Sequence, residues 1–261
     1  MTTLEKQNAY FEKQIDKILT KLSAEIKKLI KFDTVGGAVL DNNDNLRRAV
    51  VIKKQIENAL RDMGYFSLVQ KSLDDNGVVF EQRLAEVTKL LNVDKLANIG
   101  KGTLRSLNKV YYDKLSGVAD KFIAGIQDKI YNNVLLGQQY STLIDDTLKA
   151  AESFKNEALT QMRTIKQNFI QQTEDELAEQ IGFGEEEDDI WAYVGAPLQD
   201  NSHKECIWAL TEKLHTPYFT NAEKDMFLSG STGTFSFDPV RWNCQHVFNM
   251  TDLTYEEYEE A

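Results

Sequence analysis

The sequence predicts a mainly α fold: long helices in an elongated N-terminal helical region, followed by a small α+β C-terminal domain that a zinc ion would stabilise. Two observations carry this. All three prolines (Pro197, Pro217, Pro239), both cysteines (Cys206, Cys244) and all three histidines (His203, His215, His246) lie beyond residue 195. Proline breaks helices, so its absence from the first 190 residues permits long ones. The second observation is a set of one-sided apolar stripes at spacings of three and four along that proline-free stretch, the pattern of amphipathic helices.

The first stripe is Phe11, Ile15, Ile18, Leu22, Ile26 and Leu29, with lysines on the other faces. Gly36-Gly37 and Asp41-Asn-Asn-Asp-Asn45 form turns and break the pattern. Helix resumes from Leu46 to Met63 on Leu46, Val50, Ile56, Leu60 and Met63, and Gly64 can end it. Asp74-Asp-Asn-Gly77 predicts another turn, with a helix from about Val79 to Leu91 on Phe80, Leu84, Val87 and Leu91. Beyond Asn98–Gly102, a long helix carries Leu104, Leu107, Tyr111, Leu115, Val118, Phe122, Ile126, Ile130 and Val134 until Gly137. The longest candidate runs from about Ser141 to Gly182 on Ala151, Phe154, Ala158, Met162, Ile165 and Phe169. Each apolar face must be buried, within a helical bundle or by docking on another protein.

Glu185-Glu-Glu-Asp-Asp189, a run of like charge, sets the expected boundary between residues 1–184 and 185–261. Ile190-Trp-Ala-Tyr-Val194 reads as a strand ended by Gly195 and Pro197. Asp200 or Ser202 can cap a short helix through Leu214; a loop with Gly230 and Gly233 follows, then a second strand, Val240–Met250. The acidic end, Glu256–Glu260, reads as a disordered or surface-bound tail.

Composition narrows function. With 261 residues and a net charge of −11 the chain repels nucleic acid at long range, which argues against a general DNA binder. Residues 1–31 are the exception, with seven lysines against four acids, so a nucleic-acid-binding module using that segment is one alternative reading. No apolar run approaches the roughly 20 residues of a membrane span, and the first residues lack the apolar core of a secretory signal. The expectation is therefore cytoplasmic assembly and no membrane partner. P-loop, dinucleotide-fingerprint, zinc-protease and nucleophile-elbow motifs are missing from the sequence. A Cys–His nucleophilic pair can be drawn from Cys244 and His246 or from Cys206 and His215, as in a hydrolase or delivered effector, but no third orienting group is identified. The expectation is that the chain is not an enzyme.

One constellation has metal-ligand spacing: His203-x-x-Cys206, then Cys244-x-His246. Residues three apart share a helical face and residues two apart share a strand face, so each pair can point at one atom. Together they would make a four-coordinate Cys2His2 set suited to Zn²⁺, with His215 able to replace His203. The alternatives stay open: free thiols that pack as small apolar groups, or a Cys206–Cys244 disulfide.

The same stretch resembles the phage head morphogenesis family, the minor head proteins similar to protein F of phage Mu. Members show a helix with an Arg-Thr pair and a downstream Asn, a Trp-containing strand, an Asp-led Cys-x-x-Cys segment, and a closing segment with further Cys or His. Arg163-Thr164 with Asn168 resembles the first part, and Ile190-Trp-Ala-Tyr-Val-Gly195 the second. Asp200-Asn-Ser-His-Lys-Glu-Cys206 with Leu210 resembles the third, and Arg241-Trp-Asn-Cys-Gln-His246 the last. The match spans about residues 160–250 with order and spacing kept. His203 stands where many members have the first Cys, Arg241 where many have His, and Gln245-His246 replaces Arg-Cys. Four metal-capable positions survive these departures. The resemblance implies a structural protein present in a few copies per virion. It would be bound to the portal protein at or near the portal vertex or in the capsid interior, with the major capsid protein and packaged DNA as further partners. Roles in head assembly, DNA packaging or delivery follow.

Overall fold

The computed structural model describes residues 3–90, 101–184, 189–195, 198, 202–234, 236 and 246–260, with the side chains of 3–5, 90 and 101–105 left out. Helix makes up 75% of it, in eight α-helices among the described residues, with a small sheet near the C-terminal end. The mainly α expectation holds. Two compact units form. One combines Lys6–Asp74 with Asn108–Met162; the other combines Met1–Glu5, Asp75–Leu107 and Arg163–Ala261.

The first unit is built on the apolar stripes. Helix α1 (Thr3–Leu29) buries Phe11, Ile15, Ile18, Leu22 and Ile26, as its spacing predicts. The turn-forming segment after it folds into a hairpin, β1 (Thr34–Val35) and β2 (Ala38–Val39), in which Gly36 and Gly37 both take positive φ, the region open to glycine. Buried Asn45 locks the hairpin to α2 (Asn43–Asp62): its amide donates to the carbonyls of Asp33 and Leu40 and accepts from the Asp33 N–H. The α2 stripe is rotated from the expected one. Ala49, Ile52, Ile56 and Leu60 are buried, and Val50 is 60% exposed.

The expected turn at Asp74–Gly77 is absent, because α3 runs unbroken from Tyr65 to Leu90. Turn-forming residues lower helix propensity only modestly, and the buried Val69, Leu73, Phe80 and Val87 span the segment on one face. Helix α4 (Lys101–Leu135) ends at Gly137, whose φ is positive. Helix α5 (Tyr140–Ile181) has 42 residues and ends at Gly182, also at positive φ. The α4–α5 turn clasps the hairpin: Val39 N–H donates to the Gln138 carbonyl and Tyr140 N–H to that of Gly37. In the core, the Tyr65 hydroxyl donates to the Leu115 carbonyl (2.9 Å), and Phe122 stacks on Phe154 at 4.6 Å.

The second unit contains a three-stranded antiparallel sheet, ordered β4 (Tyr218–Thr220), β3 (Ile190–Gly195), β5 (His246–Met250). Trp191 pairs with Phe219 on one side and Met250 on the other; Tyr193 pairs with Phe248. Central β3 buries four consecutive residues, Ile190 to Tyr193. The short α6 (Lys204–Ile207) continues into a π-helical turn, Trp208–Glu212. Its N-cap is His203, which makes no side-chain capping bond; Ser202 does not cap it, and Asp200 lies outside the described residues. Helix α7 (Asn221–Leu228) stands where a loop is expected and opens with a capping box between Thr220 and Glu223. The expected strand from Val240 is described only from His246. The acidic tail is helical, α8 (Tyr255–Glu260), with Tyr258 buried.

This unit does not begin at the acidic run. The C-terminal half of α5 belongs to it because its polar side chains complete the sheet. The Gln171 amide oxygen accepts from the Phe248 N–H (3.0 Å), and the Glu174 carboxylate from the Met250 N–H (3.4 Å). Glu174 is fully buried, and its two carboxylate oxygens accept from Nε and Nη2 along one edge of the Arg83 guanidinium of α3. Burial opposes charge on Arg83, but the Glu174 and Glu86 carboxylates together outweigh it and hold the guanidinium above its ordinary range.

Candidate functional site

Tyr193 organises the surroundings of the expected ligands. It is fully buried at the middle of β3. Phe248 lies 4.9 Å from its ring centre, Phe227 5.2 Å and Phe219 6.1 Å. Trp208 extends the cluster by stacking on Phe227 at 6.1 Å. Aromatic pairs at such separations add about 0.5–1.5 kcal/mol each beyond area burial.

Cys206 and His246 meet on this tyrosine. The Cys206 Sγ is 3.4 Å from the Tyr193 hydroxyl, and the His246 ring lies 5.3 Å from the Tyr193 ring at an interplanar angle of 25°. Both are buried. So one residue from each predicted pair, 40 positions apart along the chain, reaches the same side chain. The reasons are local. Cys206 lies on the inner side of the single turn of α6, and His246 opens β5 opposite Gly195.

His203 sits one turn before Cys206 with its side chain 40% exposed, its Nδ1 3.5 Å from a Glu205 carboxylate oxygen. Cys244 lies outside the described residues. His215, the alternative ligand, is elsewhere: it takes a positive φ of 60° and its ring lies against Tyr258 of α8 at 4.6 Å. Of the drawn nucleophilic pair, Cys206 lies against Tyr193 and His215 against Tyr258. Among the described residues no three His, Cys, Asp or Glu side chains gather as a metal-holding group. The donor types of Cys206 and His246, a thiol at the Tyr193 hydroxyl and an imidazole on its ring, are ones that zinc takes. The placement of Cys206 is equally that of a small apolar thiol packed in an aromatic core.

Around this centre, α8 is pinned rather than loose. The Tyr258 hydroxyl donates to Glu223 (3.0 Å), and the Lys213 ammonium, paired with Glu223 at 3.0 Å, lies over the Tyr258 and Phe219 rings. Lys224 sits 3.2 Å over the Trp191 ring and pairs with Asp175; burial pushes its ammonium below the ordinary lysine range. Sequence reasoning placed Tyr193 on a strand but gave it no role. Its hydroxyl two residues beyond Trp191, in a run buried on both sides, was the available sign that it needed an interior partner.

No helix among the described residues is long and apolar enough to cross a membrane. Compared with protein-family models, curated proteins and solved structures, the chain matches none.

Proposed function

We propose that this chain is a structural minor head protein of a tailed bacteriophage, acting at the portal vertex in head assembly, DNA packaging or delivery. One observation carries the reading: the ordered series Arg163-Thr164…Asn168, Trp191, His203…Cys206…Leu210 and Arg241…Cys244…His246, with the spacing that the minor head family keeps. The way the chain folds supports it. The segment Arg163–Ala261 lies in one compact unit, and the helix, Trp strand, Cys-bearing turn and His-bearing strand of the series all contribute to it.

In this reading the C-terminal unit is a scaffold and no side chain in it is assigned a catalytic role. His203, Cys206, Cys244 and His246 would hold Zn²⁺, which would supply a cross-link between α6 and β5 and no reaction chemistry. The portal protein is the proposed main partner, with the major capsid protein and packaged DNA as further contacts. The helical residues before the series are the proposed docking segment, an assignment by architecture.

The test is the composition of the virion. Mass spectrometry of purified particles is expected to find the chain in far fewer copies than the major capsid protein, and cross-linking is expected to join it to the portal protein. Its absence from particles that carry portal protein would overturn the proposal.

A further inference from the structure

A cavity of about 300 Å³ opens between α1 and the start of α3, well away in sequence from the minor head series. Tyr10, Gln14, Lys17 and Lys21 line one side, and Ser67 and Lys71 the other. No acidic residue lines it, in a chain that carries 41 acids and a net charge of −11. Residues 10, 14, 17 and 21 follow at spacings of four, three and four, so a single stripe of α1 delivers them to one groove. Among the described residues Lys17 and Lys21 make no ion pair, whereas Lys28 is bound to Glu25 and Lys155 to Asp16. Lys71 is held in place by Tyr10, its ammonium 4.7 Å over the ring and 3.4 Å from the hydroxyl.

Three lysines and no carboxylate line this concave site, and a phosphate group, anionic and with several acceptor oxygens, is the ligand that such a lining attracts. Ser67 and Gln14 add neutral hydrogen-bonding groups at the same site. We infer that this cavity binds a phosphate group, either free inorganic phosphate or a phosphate of a nucleic-acid backbone. The inference is argued from residues outside the series that carries the function proposed above. It also replaces the even lysine-rich segment read from residues 1–31 with a defined set, two lysines of α1 and one of α3.

The experiment compares the full chain with the triple variant K17Q/K21Q/K71Q and with the control K27Q/K28Q/K31Q, which removes the same charge outside the cavity. Calorimetric titration uses inorganic phosphate at millimolar concentration and, separately, a short DNA duplex over a range of salt. Amide shifts of Gly64–Leu68 report occupancy, and far-ultraviolet circular dichroism checks the fold of these exposed-lysine variants. The expected result is binding that the cavity variant weakens by at least about tenfold and the control leaves within about twofold. Phosphate binding with this pattern identifies the free anion as sufficient. Duplex binding alone, with a salt slope lowered by about 3 in the cavity variant, identifies the nucleic-acid backbone. Failure of both probes to bind overturns the inference. So does binding that the two variants weaken equally, or that survives in the cavity variant.

Discussion

In the unit built from Lys6–Asp74 and Asn108–Met162, the core is largely a periodic aliphatic seam, with Ile15, Leu22, Ile26, Ile52, Ile56, Leu115, Ile126 and Ile130 all buried. Around Tyr193 the core is a knot of rings drawn from β3, the π turn, β4, α7 and β5. The seam arises from long helices, each of which repeats its contribution every three or four residues. The knot arises from elements of three to eight residues that each supply one or two side chains once. A helix in the seam can lose a contact and keep its neighbours along the same face. A short element in the knot has no such reserve, so a single cross-link or charge there weighs more.

The largest expected effect follows from that difference. All three tryptophans, Trp191, Trp208 and Trp242, lie in the C-terminal segment, so their fluorescence reports on that segment while far-ultraviolet circular dichroism reports mainly on the helices. Elemental analysis of protein prepared without chelator is expected to give one zinc per chain, lost in Cys206→Ala and in Cys244→Ala. Structural zinc supplies on the order of 10 kcal/mol in small domains. Chelation is therefore expected to shift the tryptophan emission to that of exposed indole and to leave most of the helical signal. Wild-type protein without zinc would remove the cross-link and leave the rings as what holds the sheet together.

That division also marks what the sequence made legible. Helices α1, α4 and α5 were readable because burial repeats along them, and their ends were readable at Gly137 and Gly182, which take the positive φ that favours glycine. The α3 segment misled because Asp74-Asp-Asn-Gly77 is turn-forming in isolation, while tertiary burial of Leu73 and Phe80 keeps it helical. In α2 the buried face includes Asn45, whose place inside depends on carbonyls of Asp33 and Leu40, contacts that no periodicity encodes. Around the candidate site, His203, Cys206 and His246 stood out as rare residue types at short spacings. Phe219 and Phe227 did not, because β4 and α7 are too short to show a period. Lys71 was missed as a partner of Lys17 and Lys21 because it is on another helix, 50 residues beyond Lys21.

A buried charge gives the next effect. Lys166, on the part of α5 that belongs with the sheet, is 1% exposed, and burial pushes its ammonium down to about 8 against the pull of Asp75. Because the folded value lies below the unfolded one, near 10.5, the unfolded chain holds the extra proton between about pH 8 and 10.5. Stability is therefore expected to rise with pH across that window, and below it the native state carries the full cost of the buried charge. That cost is on the order of 3 kcal/mol at pH 7. Lys166→Met is expected to raise stability to urea at pH 7 by about 1–3 kcal/mol, some of the gain being lost with the Asp75 interaction, and to abolish the rise between pH 8 and 10.5. An unchanged pH profile in the variant would show that other groups produce it.

The smallest effect tests whether a short element of the knot depends on its own ends. Helix α7 has eight residues, too few to be stable alone, and it carries Phe227 into the ring cluster. Its start is fixed reciprocally: the Thr220 hydroxyl accepts from the Glu223 N–H, and the Glu223 carboxylate accepts from the Thr220 N–H. Thr220→Ala removes one half of that exchange and is expected to cost about 1 kcal/mol, read as a lower urea midpoint in the tryptophan-detected transition. Thr220→Ser keeps the accepting oxygen and is expected to recover most of the loss. The Glu223 carboxylate also receives the Tyr258 hydroxyl and pairs with Lys213, so it stays anchored in Thr220→Ala. A loss of several kcal/mol in that variant would instead mean that the cap sets the position of Phe227, and with it the packing around Tyr193.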